Sequence, residues 1–169
     1  EYNVPLATGA FRGGALVADN LAATVEDPNQ PAIHVKDAAE PGELILRMPS
    51  SYVYLGGEAA LKSVVPSGGK IDVSISENTG LDWTPLTSIT ASGSQTIDLK
   101  PHVYRRYVYR LKFVLAGTGT GLDTLDLTHP IQHSQRPLPA LLQLVPKVFE
   151  PSPRESHRKP RYSMTHTRL

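Results

Sequence analysis

The chain has 169 residues, 40% of them apolar and 20% charged, enough for one domain with a substantial core. A formal net charge of +1 provides no overall field for nucleic acid, and the absence of cysteine excludes disulfides and thiolate metal sites. No apolar run approaches the roughly 18 residues of a membrane span. The charge is uneven. Residues 146–169 hold six basic side chains (Lys147, Arg154, Arg158, Lys159, Arg161 and Arg168) against Glu150 and Glu155, a local +4 that leaves −3 for the preceding body.

In chain order, residues 1–14 are rich in glycine and small side chains, without the charged, apolar, small-residue order of a signal peptide. Ala15 to Val25 is a soft apolar stretch suited to a first strand or an irregular edge, and Asp27–Pro31 is a turn. AIHVKD (32–37) and ELILRM (43–48) read as short strands, SYVYL (51–55) as a strand start, and EAALKSVV (58–65) as a strand between glycine-rich punctuation. KIDVSISEN (70–78) alternates, with Ile71, Val73 and Ile75 inward. WTPLTSI (83–89), SQTIDL (94–99) and LDTLDLTH (122–129) are further strands, and Pro101 closes the one before it.

The most regular stretch is Tyr104 to Ala116, YRRYVYRLKFVLA. Tyr107, Tyr109, Leu111, Phe113 and Leu115 fall on one face of an extended strand, and Arg106, Val108, Arg110, Lys112 and Val114 on the other. About eight or nine short strands, no helix, and glycine and proline turns point to an all-β fold, an antiparallel β-sandwich or jelly roll, over residues 1–145. From Pro146 the chain is proline-rich, basic and without period. Residues 146–169 read as a disordered tail.

Ser76-Glu77-Asn78-Thr79-Gly80-Leu81-Asp82-Trp83 resembles the Asp-box of the BNR repeats found in sialidases and other secreted proteins. Ser76, Asn78, Gly80 and Trp83 match that pattern, while Asp82 stands where threonine is usual. In such a hairpin a short polar side chain folds back onto turn amides, glycine supplies a positive φ, and the tryptophan packs beneath. The resemblance implies a structural hairpin, not a catalytic one. A broader similarity, through Tyr109–Phe113, Gly121–Leu125 and Ile131–Leu141, is to the closing part of galactose-binding-like β-sandwich modules of large exported bacterial proteins. It implies an extracellular or periplasmic accessory module that works beside other domains of the same polypeptide, its signal outside this segment. Those modules end on a glycine–asparagine turn and a last strand. Here LQLVPKVFEPSP stands instead, which implies a sandwich incomplete at that end.

No nucleophile–base arrangement or phosphate loop is present, and one hairpin cannot supply the blades and arginine cluster of a sialidase-like hydrolase. The expected role is therefore non-catalytic, carbohydrate binding first and structural assembly second, with neither nucleic acid nor membrane as partner. Tyr52, Tyr54, Trp83, Tyr104, Tyr107 and Tyr109 could stack on sugar rings, with Arg105, Arg106 or Arg110 bonding hydroxyls or a carboxylate. Tyr52, Tyr54 and Arg106 are the ligand residues chosen from these, whereas Tyr107, Tyr109 and Trp83 read as core. His129 and His133 lack the further ligands a metal needs. Asp27, Asn29 and Asp37 have oxygens suited to calcium, but turn chemistry explains them, and no cofactor is expected.

Overall fold

Alternation over Val108–Ala116 buries one face of that strand and makes it the middle of a sheet. The computed structural model describes residues 1–28 and 31–132. Its strands are β1 (Tyr2–Asn3), β2 (Ala15–Asp19), β3 (Leu21–Ala23), β4 (Ile33–Val35), β5 (Gly42–Pro49), β6 (Glu58–Val64), β7 (Lys70–Ser76), β8 (Thr84–Ile89), β9 (Gly93–Asp98), β10 (Val108–Ala116) and β11 (Gly121–Thr128). Two four-residue helices interrupt them, α1 (Phe11–Gly14) and α2 (Lys100–Val103). All pairings are antiparallel. One sheet has the order β2-β5-β10-β7-β8; the other runs β3-β4-β11-β6-β9, with β1 beside β11. The protein is an antiparallel β-sandwich.

The sheets meet through the residues that alternation placed inward. Leu111, Phe113 and Leu115 of β10 sit opposite Ile75, Val73 and Ile71 of β7, and all six are buried. Leu44, Leu46 and Met48 of β5 extend this layer, and Ile33, Ala59, Leu61, Leu122, Leu125 and Leu127 face it from the other sheet. Leu122 and Leu125 are three apart yet both buried, because a bulge between Leu122 and Thr124 resets the pleat of β11. Gly121 is required there, since a Cβ would collide with the carbonyl of Ile33.

The strand count exceeds eight because the N-terminal stretch yields several short pieces. Ala15 to Val25 is not one strand. Asn20, at φ +49, turns the chain so that β2 lies in the five-stranded sheet and β3 in the other. The same crossing recurs between β8 and β9, so the edge strands of the two sheets are joined on both flanks.

Three expectations need correction. SYVYL is not a strand, and only Tyr54 bridges, to Ile131. Pro101 does not merely close a strand but sits in the first turn of α2, where its missing N–H is not needed, while Asp98 Oδ1 accepts the N–H of Lys100 at 2.8 Å. Third, β10 begins at Val108, not Tyr104. Arg105 at φ +64 breaks the extended run, and Tyr107 is 57% exposed instead of core. The domain boundary at 145, the missing closing strand, the tail, Asn29 and His133 lie outside the described residues.

Candidate functional site

The outer face of the five-stranded sheet is not uniformly solvated. Cross-strand register arranges its outward side chains in rows, since directly opposed residues share a face. Arg47 and Arg110 oppose each other across β5 and β10, and Arg110 opposes Ser76 of β7. The next row holds Val17, Ile45, Lys112, Ser74 and Pro85. The third holds Asp19, Glu43, Val114, Asp72 and Ser88. One end of the face is thus cationic and the other anionic.

Above the cationic end, the link between β7 and β8 folds back over the sheet. Ser76 points outward yet is buried, because this turn covers it. Ser76 Oγ accepts the N–H of Gly80 at 2.8 Å and donates to Asn78 Oδ1 at 3.0 Å. Asn78 Oδ1 also accepts the N–H of Asp82 at 2.9 Å, and Asn78 Nδ2 donates to Asp82 Oδ2 at 2.7 Å. Gly80 has φ +91, a conformation that costs glycine nothing. Its Cα lies against Arg110, for a Cβ there would be 2.7 Å from a guanidinium nitrogen. The turn therefore serves as a wall beside Arg110. A cleft of about 180 Å³ runs along it, lined by Leu16, Arg47, Thr79, Val108, Tyr109 and Arg110.

At the end of the turn, Trp83 is half-buried with Lys112 Nζ 4.3 Å from its ring centroid, which anchors the indole on the sheet. It does not pack into the core as expected. Trp83 borders a second, open trough of about 470 Å³, whose polar side chains include Asp72, Ser74 and Ser88. Lys70, 2.8 Å away, and the Ser88 hydroxyl, 2.7 Å away, hold the Asp72 carboxyl below the usual range. An indole flanked by a cation, a carboxylate and hydroxyls can offer an apolar platform together with orienting hydrogen bonds.

The residues chosen from sequence are separated. Tyr54 is only 4% exposed and is a core residue, a correction to its choice as a ligand contact. Its hydroxyl donates to the Met48 carbonyl at 3.3 Å, and its ring packs on Tyr109 and His129. Tyr109 Oη and His129 Nε2 share a hydrogen bond of 2.6 Å. Burial raises the pKa of both tyrosines and lowers that of His129. Tyr52 is half-buried in a loop at one end of the sandwich. Arg106 lies in the neighbouring loop, but Glu77 takes its guanidinium and also sits 3.0 Å from His102 Nδ1. These loops are tied by Tyr54 N–H to Arg106 C=O and Arg105 N–H to Tyr54 C=O, both 2.9 Å, and Leu55, Tyr104 and Tyr107 are exposed on them. Asp27 sits 3.7 Å from His34 Nε2, and Asp37 caps the Ala39 N–H at 3.0 Å.

Sequence reasoning named Arg110 but missed Arg47, Lys112, Asp72 and Ser88 as its companions. Their only signal is outward placement on strands whose pairing the sequence leaves open.

No family model matches the chain, and no curated protein matches it. Among solved structures it is similar to that of TmCBM61 in complex with beta-1,4-galactotriose, at 14% identity and a TM-score of 0.48, over 77% of this chain and 100% of that one.

Proposed function

We propose that the protein is a non-catalytic carbohydrate-binding module whose ligand lies across the outer face of the five-stranded sheet. The observation that carries this reading is Trp83, held by Lys112 beside a trough of hydroxyl and carboxylate groups, an arrangement suited to a sugar's apolar face and its hydroxyls. The Ser76–Trp83 turn, read as an Asp-box hairpin, positions the indole. Ser76 and Asn78, bonded back onto the turn itself, support that reading. In this proposal the module is exported by a bacterium and acts beside other domains of one polypeptide.

Trp83 is the chain's single tryptophan, so its fluorescence reports on the site directly. Titration with a panel of neutral and acidic polysaccharides, paired with affinity electrophoresis, should shift that emission and retard the protein for at least one sugar. Silence in both assays at millimolar sugar would favour a second reading, an assembly module. The observation behind that alternative is the exposed Leu55, Tyr104 and Tyr107 on joined loops at one end of the sandwich.

A further inference from the structure

Two arginines placed directly opposite each other on neighbouring strands repel, and sheets ordinarily avoid such pairs or interpose a carboxylate. Arg47 and Arg110 are such a pair, at the centre of the sheet and not at its edge. Among the described residues neither forms an ion pair. Glu77 pairs with Arg106 and His102, Asp82 accepts from Asn78, and Asp72, in the third row, pairs with Lys70. Asp19 and Glu43 lie in the third row, with a row of other side chains between them and the arginines. Both arginines instead line the cleft, together with Leu16, Thr79, Val108 and Tyr109.

We infer that this cleft is an anion subsite, and that the sugar bound on the sheet face carries a carboxylate or sulfate group which Arg47 and Arg110 grip together. A guanidinium presents a planar fork of donors that matches either group in bidentate fashion, and two forks converging on one cleft select for negative charge. The mixed apolar and polar lining suits a ring substituent better than a free inorganic ion. Asp19 and Glu43, at the far end of the face, disfavour a second negative group there, so the preference is for charge at one end of the bound segment.

This inference rests on the carbohydrate-binding reading, and the experiment separates the two. The full chain is titrated, by Trp83 fluorescence and calorimetry, with polygalacturonate and its carboxyl-reduced counterpart, and with dextran sulfate and dextran. Binding at least tenfold tighter to an acidic polymer than to its neutral partner is expected, and the stronger of the two acidic arms identifies the group. Arg47→Gln and Arg110→Gln should each weaken acidic-polymer binding more than neutral-polymer binding, reducing that preference severalfold. Arg47→Gln should also keep or raise the melting temperature, because it relieves a like-charge pair, which excludes misfolding as the cause of lost binding. Equal affinity for acidic and neutral partners, or an acid preference unaltered in both variants, would overturn the anion subsite and leave sugar binding standing. Absence of binding to all four polymers, and to the wider panel above, would overturn both.

Discussion

The two faces of the five-stranded sheet are built from the same strands by opposite rules. On the inner face of β10, Tyr109, Leu111, Phe113 and Leu115 are all buried in the apolar core. On the outer face Val108, Arg110, Lys112 and Val114 are only partly covered, and a like-charge pair persists there. The inner face minimises free energy; the outer face carries groups that packing alone would not select. Residues whose arrangement costs stability are where a binding role is to be sought.

The sharpest way to break this contrast is on the inner side. Phe113→Ala should cost roughly 3–5 kcal/mol through lost burial and a residual cavity. Chemical denaturation would show it as a lower midpoint. A change under about 1 kcal/mol would mean the inner face is not the packed layer described. Next is the turn. Gly80→Val forces a β-branched residue to φ +91 and should cost about 1–3 kcal/mol, chiefly backbone strain, since the atom in its way is the mobile end of Arg110. Gly93→Val should cost less, because φ +156 borders the extended region and the space around it is open. Comparable losses at both positions would remove the special status of the Ser76–Trp83 turn.

A pH titration probes the end of the core where Tyr54, Tyr109 and His129 meet. Burial depresses the folded-state pKa of His129, so the neutral imidazole is the form the fold favours. Its contribution is fully present above the unfolded value of about 6.5 and is lost as pH falls through that value toward the folded one. The melting temperature should therefore drop between pH 7.5 and 5, and His129→Gln should flatten the profile in that window. An unchanged slope in the variant would assign the acid sensitivity elsewhere. The smallest stability effect is expected on the outer face. Trp83→Ala should cost no more than about 1.5 kcal/mol, mostly a cation–π contact worth about 0.5–1 and some apolar area, while abolishing sugar binding.

The same contrast explains what could be read from the sequence. β7 and the body of β10 were legible because one face is buried and the other is not, so period-two alternation is written into the residue types. The alternation misled at Tyr107, because nothing in a residue pattern reveals that Arg105 adopts a left-handed φ and ends the extended run. Tyr54, in a stretch that reads as a strand start, is a ligand candidate by residue type alone, and its burial depends on Tyr109 of β10 and on His129, just past the end of β11. The polar hydrogen bonds of the turn were legible, being local. The arginine pair was not, because Arg47 and Arg110 become neighbours only through the register of β5 against β10. Site residues gathered by long-range register leave no local mark.

One consequence of the chain's route concerns how the sandwich would respond to force. The outermost strands of the two sheets are successive stretches of chain on both flanks, β2 running into β3 through Asn20 and β8 into β9 through residues 90–92. Within the described residues the sandwich has a covalent seam along each side. Sliding one sheet over the other puts tension on those seams, so an edge strand must first be unzipped from its neighbour, one hydrogen bond after another, before the apolar layers can separate. Mechanical yielding should therefore start at the flanks, with the central strand β10 among the last to lose its partners.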